Sequence, residues 1–319
     1  MAYYLGIDGG GSKTTCAVGD ETALLATATA GPSNITRVGE TCAREALQQA
    51  IREACATAKI DPQRVQRACI GAAGAGREEV ASVVREIVAE IIPGEIEIVG
   101  DMQIALAAAF GEGPGVIVIA GTGSIAYGRN TQGKTARAGG WGFAISDEGS
   151  AHWIGRAAVS AMLRAIDEGE AKASGQKTAQ ATAEASPLFR EMKAAWRLHS
   201  LDEFLRTANS NPDFAALFPA ILTAANGGDG LALRVLAQAG GELAQVAAMV
   251  ARRLFAEDIG TIPLAMAGGV FRHSQTVREV FYHEVRKLDP RVSLNPHVVE
   301  PVAGALQMAR AGKTTLKWK

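Results

Sequence analysis

One short pattern occurs twice in this chain. Residues 3–12, Tyr-Tyr-Leu-Gly-Ile-Asp-Gly-Gly-Gly-Ser, and residues 115–124, Gly-Val-Ile-Val-Ile-Ala-Gly-Thr-Gly-Ser, each pass from an apolar strand into a glycine-rich turn closed by a serine. Each then resumes as a second β-like run, at 14–19 and 125–129. Glycine reaches positive φ cheaply and lets main-chain N–H groups come close to an anion, so such a turn can cradle phosphate oxygens. A single copy is a weak signal. Two copies at matching places in two halves describe two similar domains offering two backbone cradles to one polyphosphate. A Walker A loop is excluded, because G-x-x-x-x-G-K-[ST] is absent and both turns lead into strands.

The remaining composition bounds the function. A chain of 319 residues, 48% hydrophobic, supplies enough for two cores. Its 32 Lys and Arg balance 33 Asp and Glu, so nothing points to nucleic acid or an anionic membrane as partner, and phosphate recognition has to be local. No apolar run approaches the ~18–20 residues of a membrane span, and Met-Ala-Tyr-Tyr-Leu lacks a basic, leader-like opening. A cytoplasmic protein is expected. Cys16, Cys42, Cys55 and Cys69 form no C-x-x-C pair and have no histidine at metal-ligand spacing. They read as reduced thiols acting as small core hydrophobes, with redox activity the alternative.

Along the chain, strands are expected at 2–8, 14–19 and 24–29, a loop at 31–34, and a helix over about 38–58. Strands at 68–73 and 95–100 flank a helix near 78–90 and should be parallel. A helix from Asp101 to Phe110 leads to Gly111-Glu112-Gly113-Pro114-Gly115, the expected hinge between a domain of residues 1–112 and one of residues 113–319. The second domain restarts with the strand pair around Ala120–Ser124 and a strand at 135–138. It then turns mostly helical, at about 149–168, 187–199, 213–226 and 229–257, as a helical insertion would. A strand at 261–267, a helix at 274–288 and a last helix over about 301–312 follow, the last free to pack back on the first domain.

Four segments carry candidate chemistry, each with a plain alternative. Gly10, Gly11, Ser12 and Lys13 form a phosphate-binding hairpin or an ordinary one; Asp8 before them suits Mg²⁺, which keeps several waters and takes one or two carboxylates. Asp101, between a strand and a helix, is either an N-cap or the acceptor of a proton from an attacking hydroxyl. The helix dipole is expected to keep it ionised with a low pKa, no obstacle where the proton moves late in phosphoryl transfer. Gly140-Trp141-Gly142 and Asp147-Glu148-Gly149-Ser150 are either interdomain packing and helix caps or donors to sugar hydroxyls. Gly268 and Gly269 are either a simple strand–helix turn or a place for a nucleotide base. His152 and His273 read as supporting or surface residues rather than ligands.

Together these residues resemble the actin-like sugar kinases, within them the branch holding N-acetylglucosamine kinase and the BadF/BadG-type ATPases. The motifs are Gly6-Ile7-Asp8-Gly9-Gly10-Gly11-Ser12, Gly100-Asp101, Ala120-Gly121-Thr122-Gly123-Ser124, Gly139-Gly140-Trp141-Gly142 with Asp147-Glu148-Gly149-Ser150-Ala151, and Ala267-Gly268-Gly269-Val270. The resemblance implies an α/β protein of two ribonuclease-H-like domains around a central cleft, the second with a helical insertion. It further implies ATP held by Gly10, Gly11, Ser12, Lys13, Gly121, Thr122, Gly123, Ala215, Gly268 and Gly269, with Mg²⁺ near Asp8. Asp101 would be the base, and Asn34, Asp101, Gly140, Trp141, Gly142 and Asp147 would hold the sugar. The implied activity is phosphorylation of N-acetylglucosamine at its 6-hydroxyl, with glucosamine and glucose left open. A homodimer also stays open. The competing class is an ATPase that activates a partner enzyme; those activators resemble dimers bridged by an iron–sulfur cluster on second-half cysteines, and here no cysteine follows Cys69.

Overall fold

The computed structural model describes residues 1–172 and 183–312, with backbone alone at 169–172. The expected second domain's last residues, 313–319, lie outside the described ones. The chain divides into two compact units: Met1–Ile117 with Gly128–Lys134 and Val299–Lys319, and Val118–Tyr127 with Thr135–Val298.

In the first unit the strands β1 (Tyr3–Gly9), β2 (Thr14–Gly19), β3 (Leu24–Ala30), β4 (Val65–Ala72) and β5 (Glu95–Gly100) form one sheet in the order β3-β2-β1-β4-β5. β1 to β3 are an antiparallel meander, and β4 and β5 add in parallel. This is the ribonuclease-H-like arrangement that the resemblance implies. Leu5, Ile7, Cys16, Val18 and Ile70 bury one sheet face against Leu47 and Ile51 of α1 (Ile35–Ala58) and Val84 and Ile87 of α2 (Glu78–Ala89). Each such Leu or Ile contributes about 1.5–3 kcal/mol of transfer free energy. The other face meets α3 (Asp101–Phe110) and the last helix through Cys69, Ile104, Ala305 and Ala309. Gly6 makes that approach possible: a Cβ there would stand 2.2 Å from the Leu306 backbone nitrogen.

α1 starts at Ile35, three residues before the amphipathic pattern becomes readable, because its first turn is separated from the rest by Gly39 at φ 78°. Three cysteines are buried, and burial raises the Cys16, Cys55 and Cys69 thiol pKa values. Cys42 is exposed on α1, so the core-thiol expectation fails for it.

The second sheet has the order β10-β9-β6-β7-β8, from β6 (Gly115–Ala120), β7 (Ser124–Arg129), β8 (Thr135–Gly139), β9 (Ile262–Ala267) and β10 (Val292–Val299). The helical segment contains α4 (Ala151–Lys172), α5 (Pro187–Ala195), α6 (Leu201–Ala208), α7 (Phe218–Asn226) and α8 (Gly230–Phe255). α9 (Gly269–His273), α10 (Gln275–Leu288) and α11 (Pro301–Ala311) follow. Among the described residues, the elements that escape the sequence reading include α6, α9 and β10. The helix expected over 187–199 stops at Ala195 because Arg197 is left-handed at φ 57°, and Ser200 then caps α6 by accepting from Glu203 N at 3.2 Å. β10 is an edge strand interrupted by Pro296, which removes an N–H and the strand signal with it. The expected helix at 213–226 opens as a 3₁₀ turn, Phe214–Leu217, before α7.

Candidate functional site

The first unit carries one glycine hairpin. β1 and β2 pair Asp8 with Thr15 and Gly9 with Thr14, and Gly10 N donates to Lys13 O at 3.0 Å to close the turn. A Cβ on Gly10 would lie 2.9 Å from that Lys13 oxygen. Ser12 and Lys13 stand exposed at the tip. The loop after β3 folds beneath it, and its Asn34 opens α1 without a side-chain capping bond.

Asp8 is the penultimate residue of β1, and Asp101 opens α3 directly after β5. Burial raises the Asp8 carboxyl to about 7, with Asp101 adding repulsion, Lys13 opposing it and Glu300 adding to it. Asp101 is also raised, by burial first, against the lowering effect of N–H donation from Met102 at 2.9 Å and from its own backbone. Both results correct expectations. The N-cap of α3 is Gly100, whose N–H donates to Gln103 Oε1 at 2.8 Å, so Asp101 is not the cap. The low pKa expected from the dipole is overturned because desolvation outweighs the helix terminus.

Among the described residues, no three His, Cys, Asp or Glu side chains cluster as a metal-binding group. The donor set nonetheless fits Mg²⁺ held mainly by phosphates and water. Two hard, desolvated carboxylates that repel each other would gain from a divalent cation beside Asp8.

In the second unit the other glycine turn is tied to α4. Gly121 N donates to Gly123 O at 2.9 Å, while Gly121 O and Thr122 O accept from Ala151 N at 2.9 Å and His152 N at 3.3 Å. A side chain at Gly121 would meet open space, whereas at Gly123 it would strike Asp147 Oδ2 at 2.6 Å. Ser124 Oγ donates to Glu148 O at 2.7 Å and fixes the following segment. Ser150 takes the capping role at α4, accepting from Trp153 N at 3.1 Å. Asp147 is buried in a left-handed conformation, and its Oδ1 accepts from Gly142 N at 3.2 Å.

Trp141 is 67% exposed and the Arg137 guanidinium lies 4.1 Å from its ring centroid. The same guanidinium donates to Gly139 O at 3.2 Å and Gly140 O at 3.3 Å, both glycines being left-handed. Sequence reasoning missed Arg137, since a lone arginine on a short strand carries no motif. It gave no role of their own to Thr14 and Ser33, buried hydroxyls that lie 19 residues apart in sequence yet share a hydrogen bond.

Phe143 leans on His152 with ring centroids 4.7 Å apart, and His152 meets Phe214 at 5.4 Å. His152 is therefore an internal support. Ala215 follows Phe214 in the 3₁₀ turn, capped by Asp213, so the segment after Gly142 and the Ala215 turn share one aromatic stack. Gly268 has φ 99°, and a Cβ on it would lie 2.3 Å from Ala120 O, while Gly269 opens α9. His273 is exposed.

The family model of the BadF/BadG/BcrA/BcrD ATPases matches residues 5–309. An N-acetylmuramic acid/N-acetylglucosamine kinase of Clostridium acetobutylicum is 32% identical over 98% of this chain and 99% of its own length. An N-acetyl-D-glucosamine kinase of Dictyostelium discoideum is 29% identical over 97% of this chain and 98% of its own. A solved structure from Chromobacterium violaceum shares the fold with a TM-score of 0.73 at 26% identity, covering 96% of this chain and 98% of that one.

Proposed function

Because the chain belongs to the BadF/BadG/BcrA/BcrD ATPase family, we propose that it is an ATP-dependent amino-sugar kinase that phosphorylates N-acetylglucosamine at the 6-hydroxyl. The observation that carries the chemistry is Asp101, a desolvated carboxylate with a raised pKa at the end of a strand. The sugar oxygen forms its bond to the γ-phosphorus as the bond to the ADP oxygen breaks, and the hydroxyl proton passes to Asp101. Phosphoryl transfer through a loose transition state asks mostly for positioning and charge stabilisation, and a base of raised pKa suits the late proton transfer.

On the first unit, Gly10, Gly11, Ser12 and Lys13 are proposed to hold phosphate, Asp8 a water of Mg²⁺, and Asn34 a sugar hydroxyl. On the second, Gly121, Thr122 and Gly123 are assigned to phosphate, Gly268, Gly269 and Ala215 to the nucleoside, and Gly140, Trp141, Gly142 and Asp147 to the sugar. Bound Mg²⁺ would neutralise phosphate charge. ATP as co-substrate and buried thiols agree with a cytoplasmic setting.

The test is coupled ADP release across hexoses with and without 2-amino and 2-acetamido groups, followed by phosphorus NMR of the product. Sugar-dependent turnover highest with the 2-acetamido sugar and phosphate on O6 is expected. ADP release indifferent to sugar would replace this reading with the partner-activating ATPase.

A further inference from the structure

We infer that Thr14 and Ser33 are positioning residues that couple nucleotide binding at the first hairpin to sugar binding at Asn34. The inference rests on the kinase reading above and deepens it. Thr14 and Ser33 are almost fully buried, and neither is among the residues assigned above to phosphate or sugar. The Thr14 hydroxyl donates to Gly31 O at 2.8 Å, and the Thr14 and Ser33 hydroxyls lie 2.8 Å apart in a second hydrogen bond. Ser33 N donates to Gly10 O at 3.2 Å. The loop is thus stitched to both arms of the hairpin, through Gly10 on one side and Thr14 on the other. Packing tightens the stitch: a Cβ on Gly9, the residue paired with Thr14, would lie 2.9 Å from Ser33 Oγ.

Asn34 is the next residue, so its backbone cannot move without Ser33. Its Oδ1 accepts from Thr36 Oγ1 at 2.7 Å, and its Nδ2 donor has no hydrogen-bond partner among the described residues. That leaves the donor for an outside acceptor such as a sugar hydroxyl. When phosphate oxygens take up the hairpin N–H groups, the Gly10 peptide is fixed, Ser33 is fixed with it, and Asn34 is presented already ordered. Ordering the hairpin first removes part of the entropic cost of ordering Asn34, which is positive coupling. Linkage requires the sugar to tighten nucleotide binding by the same factor.

The experiment measures the calorimetric Kd of N-acetylglucosamine with and without a non-hydrolysable ATP analogue and Mg²⁺, and the reverse titration, for the full chain and for Ser33→Ala, Thr14→Val and Thr14→Ser. In the unaltered protein the analogue should lower the sugar Kd by about 5-fold or more, within the usual span of allosteric couplings. Ser33→Ala and Thr14→Val should each reduce that factor below about 2, and their combination should add little, since one link is cut either way. Thr14→Ser keeps the hydroxyl and should keep the coupling. A merely structural pair would shift Tm and leave the factor unchanged in Ser33→Ala, and that outcome overturns the inference, as does a factor of one in the unaltered protein. Should Thr14→Val fail to fold, Ser33→Ala and Thr14→Ser decide alone. Absence of sugar-dependent ADP release would sink the kinase reading itself, whereas normal turnover without coupling sinks only the pair.

Discussion

The buried Asp147 carboxylate accepts a hydrogen bond from Gly142 N at 3.2 Å, so a charged side chain holds the backbone of the loop that presents Trp141. Asp147 adopts φ 64°, a region where Asp and Asn are tolerated and most side chains are not. Asp147→Asn keeps the shape and an oxygen acceptor but loses the charge-assisted bond. A neutral acceptor makes a bond weaker by about 1–1.5 kcal/mol, which corresponds to a fall of about 5–10-fold in kcat/KM for the sugar. Steady-state kinetics with varied sugar at saturating Mg-ATP reads it; an unchanged value would leave Asp147 with a backbone role alone.

Asp101→Asn should lower kcat by about 10²–10⁴-fold while leaving substrate affinities nearly as they are. Folding should survive, since an Asn side-chain oxygen can still accept from Met102 N as Asp101 does. The raised carboxyl also places the acid limb of the kcat–pH profile above the ordinary aspartate range, with activity lost as falling pH protonates the base. A drop in Tm with kcat preserved would make Asp101 structural.

Asp8 gives a pH signature in the free protein. Its carboxyl is raised to about 7, so between its usual value, near 4, and 7 the folded chain keeps a proton that the unfolded chain has lost. Stability contributed by this group is full below the unfolded value and declines as pH rises through the folded one. Asp8→Asn removes that slope: its Tm relative to the unaltered protein should improve from pH 4.5 to about 7 and level off above, without Mg²⁺ or nucleotide. The same variant should need more Mg²⁺ for turnover, because a carboxylate near the metal is lost. Parallel Tm–pH curves for the two proteins would contradict the raised value.

The first sheet and four strands of the second were readable because their signals are local: apolar runs, glycine turns and Asp101 at a strand end all lie within a few residues of one another. What was not readable depends on distant burial. The sign of the Asp101 pKa shift was lost because the helix terminus is visible in sequence and the desolvation is not. Thr14 and Ser33 look like ordinary strand and loop residues until the fold places one on the other. The cap of α6 stands in Ser200-Leu201-Asp202-Glu203, yet it lies just past the helix expected over 187–199, in a stretch to which the sequence reading assigns no element. β10 offered no such clue, since Asn295-Pro296 breaks the alternation that marks a strand.

Arg137 should prove necessary for sugar affinity rather than for the chemical step. It stacks on Trp141 and ties down two successive left-handed glycines, and its own carbonyl accepts from Arg253 Nη1 at 2.5 Å, which anchors it to α8. An exposed cation–π contact is worth about 0.5–1 kcal/mol and each hydrogen bond about 1 kcal/mol, so their partial loss in Arg137→Ala should raise the sugar KM by about 3–30-fold. The kcat at saturating sugar should stay near its original value, because Arg137 touches the loop and not the reacting hydroxyl. Lysine at this position retains the charge without the planar fork and should recover only part of the affinity. Sugar-induced quenching of tryptophan emission supplies a second readout: the amplitude should shrink in Arg137→Ala and vanish in Trp141→Phe. An unaltered KM in Arg137→Ala, with the quench intact, would remove Arg137 from the sugar loop's support.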